Sequence, residues 1–73
     1  MSMHYAVVLE PGESGWIIAS VPSLPGCHSQ GRTRQEALSN VQEAIQGYIA
    51  VLAEDGEPVP KPDLDIVMVE VAA

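Results

Sequence analysis

Apolar residues recur at helical spacing in one long stretch of the chain. From Arg34 to about Glu54 they are separated by three or four residues, which places them on one stripe of a helix. Thr33 can cap this helix, and Glu36 can reach back to the backbone N–H of Thr33 in a capping box. An Asp-Gly pair and two prolines then favour termination. The pattern predicts a helix over residues 34–54 whose apolar stripe comprises Ala37, Val41, Ala44, Ile45, Tyr48, Ile49 and Leu52.

Four shorter segments are rich in β-branched and aromatic residues and are bounded by glycine and proline. The first two, separated by P-G-E-S-G, predict an antiparallel hairpin, and a proline-rich linker precedes the last. The predicted element order is β-β-β-α-β, an α+β fold with one helix. The predicted strands are Met3–Glu10, Trp16–Val21, Cys27–Gln30 and Leu64–Val71.

Three of these strands carry apolar side chains at successive positions rather than at alternate ones. The runs are Val7–Leu9, Ile17–Ala19 and Ile66–Val69. Because neighbouring residues of a strand point to opposite faces, the pattern predicts a sheet that is apolar on both faces. One helix covers one face only. We therefore expect a contact surface for another subunit or a partner, and a homo-oligomer that is a dimer or tetramer.

Composition narrows the range of functions. The 73 residues predict a single domain, residues 1–73, that is marginally stable alone. A net charge of −7, with Arg32, Arg34 and Lys61 as the only basic side chains besides histidine, argues against nucleic-acid binding. It favours a basic protein partner, although solubility alone is an alternative reason for the charge. One cysteine, no membrane-length apolar run and no secretory signal predict a cytoplasmic protein.

Residues for catalysis or metal binding are sparse. His4 and His28 lie on different predicted strands, and Cys27 must point away from His28 if that segment is extended. The serines lack the context of a nucleophile elbow. Glu10, Glu36, Glu43 and Asp65 do not reproduce the carboxylate set of a two-metal nuclease. We therefore expect no enzyme activity, no catalytic residue, no metal and no cofactor.

An acidic cluster lies where the helix is predicted to end. Glu54, Asp55 and Glu57 are placed at the negative end of the helix dipole, which disfavours further negative charge. One interpretation is a solvated helix cap around Gly56. The other is a surface that steers and binds a basic partner, which makes these three residues candidate partner contacts.

The segment V-P-S-L-P-G-C-H-S-Q-G, followed by T-R-Q-E-A-L-S-N-V-Q-E-A-I, resembles the HicB family of antitoxins over nearly the whole chain. The resemblance implies a partial RNase H-like fold, with three antiparallel strands, a helix on one face, and a last strand parallel to and beside the first. It also implies that the RNase H carboxylates are lost. The matching motif residues, which we interpret as structural, are Pro22, Leu24, Pro25, Gly26, Gly31, Thr33, Glu36, Ala37, Asn40 and Ala44.

The resemblance further implies a partner. HicB antitoxins bind and inhibit HicA, a small basic toxin that cleaves mRNA, and many continue into a helix-turn-helix or ribbon-helix-helix domain, which we do not expect in residues 1–73. The leading hypothesis is therefore a non-catalytic antitoxin-like module that neutralises a basic HicA-like toxin without binding nucleic acid itself. A solitary structural or adaptor oligomer is the alternative, and a residual nuclease or other enzyme is a third possibility.

Overall fold

A computed structural model describes residues 3–62 and 64–72 of the chain. These residues form one antiparallel sheet in the strand order β1-β2-β3, with one helix, α1, packed against it. The predicted α+β class with three antiparallel strands and one helix is confirmed. The elements are β1 (Val8–Pro11), a short 3-10 helix (Glu13–Gly15), β2 (Ile17–Ser20), β3 (His28–Gly31) and α1 (Arg34–Glu54).

The first strand is shorter than the sequence predicts. Residues 3–7 belong to no strand, and β1 begins at Val8, which is paired with Ser20. Val21 follows β2, and its N–H donates to the carbonyl of Cys27, on the side of β3 rather than of β1. Pro22 follows and has no N–H to give. The prediction of a strand over residues 3–7 was therefore wrong, because the neighbouring strand ends before it reaches them.

The last predicted strand, residues 64–71, is not formed in the single chain. Residues 64–72 have no regular secondary structure and all are exposed. Main-chain pairing with another strand is what defines a strand, and this segment pairs with none of the described residues. Its apolar side chains reach 93% exposure at Met68 and 82% at Val71. The sequence of this segment favours a strand, but in the single chain the segment pairs with no described sheet edge.

The two faces of the sheet differ in polarity. The cross-strand row Leu9, Ala19 and Ser29 faces the helix, since Ala19 is fully buried and Leu9 packs against the core. The adjacent rows must point away from the helix. The prediction of a second apolar face was wrong, because four of these six outward residues are polar. They are Val8, Ser20 and His28 in one row and Glu10, Ile18 and Gln30 in the other.

Helix α1 begins and ends where the sequence predicts. The hydroxyl of Thr33 accepts a hydrogen bond from the N–H of Glu36 at 3.0 Å. The Glu36 carboxylate accepts from the N–H of Arg32 at 2.9 Å, rather than from that of Thr33 as expected. At the other end Gly56 has φ +70°, and the N–H of Glu57 donates to the carbonyl of Leu52. These bonds form a Schellman motif, which requires the left-handed conformation that glycine adopts readily.

The core lies between the sheet, the loop after β2 and the first half of the helix. Its helical members are Ala37 and Val41, and no helix residue beyond Val41 is fully buried. A Cβ at Gly31 would overlap backbone atoms of Glu36 and Ala37, so glycine permits the close approach of β3 to the helix. The buried residues are Ala19, Val21, Leu24, Cys27, Ala37 and Val41.

Candidate functional site

The loop that carries the P-S-L-P-G motif contributes a side chain to the core. Two consecutive turns form it, with the N–H of Leu24 donating to the carbonyl of Val21 and the N–H of Cys27 donating to that of Leu24. The second turn has Pro25 and Gly26 at its centre, and Gly26 has φ +80°, as a type II turn requires. Leu24, where the two turns join, is fully buried. The motif therefore fixes a core residue and presents no reactive group.

Other motif residues, together with Tyr48, join the helix to the sheet and the loop. The side-chain amide of Asn40 donates to the carbonyl of Gln30 in β3 at 2.8 Å. The hydroxyl of Tyr48 donates to the carbonyl of Pro25 at 2.9 Å. Ala37 is buried and Ala44 packs against the core. The positions of Pro22, Gly31, Thr33 and Glu36 given above are likewise structural in character.

The candidate chemical groups do not converge. Cys27 is buried and the adjacent His28 is exposed, so the two side chains lie on opposite faces, while His4 is exposed before β1. Burial raises the pKa of the Cys27 thiol, which keeps it protonated and unreactive at neutral pH. Glu36 is engaged in the helix cap. The described part of the chain contains no group of three or more His, Cys, Asp or Glu side chains that could hold a metal ion.

One open surface lies on the second half of α1, and we call it the helix-end patch. Its apolar part contains Tyr48, Val51 and Leu52, with Ala44 and Gly47 beside them. Val51 is 57% exposed. Glu54 and Asp55 follow Val51 by three and four residues, so they lie on the same side of the helix. With exposed Glu57, they place the predicted acidic cluster at the border of this apolar surface.

A second open surface lies between the segment that precedes β1 and helix α1, and we call it the edge groove. Residues of the N-terminal segment, Met3, Tyr5 and Val7, form one wall, and helix residues Leu38, Ile45 and Ile49 contribute the other. The groove has a volume of about 420 Å³. The groove was not predicted from the sequence. Leu38 lies outside the predicted apolar stripe but precedes Ile45 by seven residues, and this helical spacing is the signal that could have revealed the groove.

Both surfaces are suited to protein contacts. An apolar centre with a polar or charged border is typical of protein–protein interfaces. The carbonyl of Pro60 accepts a hydrogen bond from the hydroxyl of Tyr5 at 2.7 Å, so the linker after the helix is held at the edge groove. Among the described residues, no helix has the length and apolarity needed to cross a bilayer.

Comparison with known proteins agrees with this arrangement. A sequence model of a family described as "HicB_like antitoxin of bacterial toxin-antitoxin system" matches residues 5–71. The UPF0150 protein Ta0767 of Thermoplasma acidophilum is 40% identical over 67 residues, which are 92% of this chain and 97% of that protein. Antitoxin HicB 1 of Photorhabdus laumondii is 39% identical over 61 residues, and the chain spans only 39% of its length.

A solved structure shares the fold. The crystal structure of the N-terminal domain of Burkholderia pseudomallei antitoxin HicB matches with a TM-score of 0.65 and 30% sequence identity. The match covers 88% of this chain and 69% of that chain. The expected resemblance is therefore confirmed over most of the sequence. The chain belongs to the family of HicB-like antitoxins of bacterial toxin–antitoxin systems.

Proposed function

We propose that this protein is a non-catalytic inhibitor that binds a small, basic, RNA-cleaving toxin of the HicA type and blocks its RNA-binding surface. The observation that carries the proposal is the family membership combined with a net charge of −7. A basic RNA-binding surface attracts polyphosphate chains, and an acidic protein competes for the same surface. The same charge leads us to propose that this chain does not bind nucleic acid directly.

The helix-end patch is the proposed toxin-binding surface. Its exposed apolar residues, Val51 above all, would supply the desolvated centre of the interface. Glu54, Asp55 and Glu57 would supply the border and steer the basic partner during encounter. No enzyme chemistry is proposed, because Cys27 is buried and protonated and Glu36 is engaged in a cap. We place this inhibition in the cytoplasm, where a toxin would meet mRNA.

Two further features of the family are proposed for the assembled protein. The first is self-association into a dimer or tetramer, supported by the apolar side chains that the single chain leaves exposed. The second is a partial RNase H-like fold, in which residues 64–71 become a strand parallel to β1. We also propose that residues 1–73 form one domain.

The test is RNA cleavage by the toxin encoded in a small basic reading frame beside the gene. Wild-type protein should abolish cleavage at a one-to-one ratio of subunits. The double variant Glu54→Lys/Glu57→Lys should weaken inhibition about tenfold, which corresponds to about 1.4 kcal/mol of binding free energy. The matched control is Glu10→Lys/Glu13→Lys at the exposed end of the β1–β2 hairpin, which changes the net charge by the same amount.

The control separates a local contact from a general charge effect. If both double variants lose inhibition equally, charge alone drives binding and the helix-end patch is not the contact surface. If the wild-type protein leaves RNA cleavage unchanged, or captures only acidic proteins, the inhibitor proposal is wrong. The absence of a basic reading frame beside the gene would favour the adaptor alternative.

A further inference from the structure

The C-terminal segment has the composition of a buried strand and the environment of an exposed coil. Residues 64–71 read L-D-I-V-M-V-E-V, and their apolar side chains are between 48% and 93% exposed. Four of the eight are β-branched, the residue type that favours strands. An exposed segment of this kind readily pairs with another chain. The structure therefore contains a strand-forming segment without its sheet.

The edge groove is a sheet edge without its strand. The order β1-β2-β3 leaves one side of β1 free, and residues 3–7, which precede β1 and belong to no strand, line the groove. Apolar side chains of Leu38, Ile45 and Ile49 lie beside this edge and line the groove. A strand placed there would satisfy the backbone of the edge and cover these side chains at the same time.

The single chain is too extended for a compact monomer of its size. Its accessible surface is 5767 Å², whereas a compact monomer of this mass exposes about 4,400 Å². Its radius of gyration is 13.9 Å, against about 11 Å for a compact domain of this length. The excess surface exceeds the roughly 800 Å² that each partner contributes to an ordinary stable interface.

We propose that two copies of the chain exchange their C-terminal segments. Residues 64–71 of each copy add as a strand alongside residues 3–10 of the other and cover its edge groove. The exchange is reciprocal about a two-fold axis, so both grooves are filled and the assembly closes at two copies.

The path of the linker favours the second copy over the segment's own groove. The hydroxyl of Tyr5 donates to the carbonyl of Pro60 at the groove, yet residues 64–72 lie exposed and pair with none of the described residues. Val59 and Lys61 each precede a proline, which restricts both to extended conformations and disfavours a reversal between them. An extended linker cannot readily fold the segment back on itself, which favours the groove of the second copy.

This inference rests on the proposed self-association and is independent of the proposed toxin. Two chains of charge −7 repel each other, so salt should strengthen the dimer by screening. Salt should weaken the attraction between this acidic protein and a basic toxin. Comparing about 0.05 M with about 0.5 M salt therefore gives opposite changes for the two associations.

Disulfide trapping tests which copy supplies the strand. In a background of Cys27→Ala, one protein carries Val7→Cys and a second carries one cysteine at 66, 67, 68 or 69. When the two are mixed and oxidised, at least one pair should form a covalent dimer in high yield. The hairpin variant Ser14→Cys, which is exposed and remote from the groove, is the matched control and should not couple to the segment.

The same cysteines placed in one chain distinguish exchange from folding back. Exchange predicts that covalent dimers still form when the protein is diluted for oxidation, because the non-covalent dimer exists before the disulfide forms. A doubly substituted chain that runs as a monomer with an internal disulfide would overturn the proposal in favour of the chain's own segment. A covalent dimer in the Ser14→Cys control would show random collision and would also overturn it.

A charge in the groove provides a second test that does not require oxidation. Ile49→Glu places a carboxylate in the groove, whereas Ala50→Glu places the same group on the exposed side of the helix next to it. Ile49→Glu should raise the dimer dissociation constant at least about tenfold, since burying an unpaired charge is costly. Light scattering measures this, and circular dichroism verifies that both variants remain folded.

These outcomes separate the two proposals. A wild-type protein that is monomeric at micromolar concentration would overturn both self-association and exchange, with the toxin proposal untouched. A dimer that resists Ile49→Glu as well as Ala50→Glu would overturn the exchange alone.

Discussion

The more apolar half of helix α1 is the less buried half. The first half buries Ala37 and Val41 against the sheet and the loop, and Gly31 brings β3 against its first turn. The second half, from Ala44 onward, has no fully buried residue, although eight of its eleven residues are apolar, against three of the ten residues before it. The difference shows that the sheet is too short to cover the helix. The second half is therefore the part of the molecule available for other chains.

The largest difference between the halves should appear in the free energy of unfolding. Leu24→Ala removes a fully buried side chain beneath the first half and should lower stability by about 2–5 kcal/mol. Val51→Ala trims a side chain that is 57% exposed on the second half and should change stability by less than about 0.5 kcal/mol. Urea denaturation followed by circular dichroism measures both. Equal losses would mean that the second half is also packed in the free protein.

Glycine substitutions sharpen the comparison because the sign should change along the helix. Gly31→Ala introduces a Cβ that would overlap the backbone of Glu36 and Ala37, and we expect a loss of about 1–3 kcal/mol. Gly47→Ala introduces a Cβ that meets no atom, so the helix should gain about 0.5–1 kcal/mol. Thermal unfolding of the two variants against the wild type measures this contrast. Two changes of the same sign would contradict the close approach at Gly31.

The smallest effect concerns the thiol beneath the first half of the helix. Burial raises the pKa of Cys27 above the ordinary value of 9.0. The unfolded chain therefore loses this proton first as pH rises, and the stability associated with it declines above about pH 9.0. As the pH is raised from neutrality to above about 9.0, the free energy of unfolding of Cys27→Ala should decline less than that of the wild-type protein. Identical pH profiles would indicate that the thiol is not desolvated in the folded protein.

Much of the fold was predictable because its signals are local. The helix limits depend on Thr33 and Gly56, whose effects act within one turn, and both were found where predicted. The antiparallel hairpin followed from a short turn between two strand-forming segments. The family was also recognisable, since its motif encodes a loop with two turns around Leu24.

The candidate site was less predictable because it depends on which apolar surfaces the other elements leave uncovered. The two-faced apolar sheet was inferred from runs such as Ile17–Ala19, but His28 and Gln30 of β3 share the outer face and make it mostly polar. Face polarity is a property of several strands together, which no single run contains. The edge groove likewise arises only when residues 3–7 and Leu38 are brought together in space.

The sequence by itself determined the helix, the three strands, the capped ends and the acidic excess, because these depend on neighbouring residues and on composition. Only the tertiary structure decided which apolar side chains are covered, since coverage depends on the reach of one element over another. Residues 64–71 illustrate this division. Their composition favours a strand, but a strand forms only when it pairs with a sheet edge. In the single chain these residues lie exposed and do not pair with the edge that β1 leaves free.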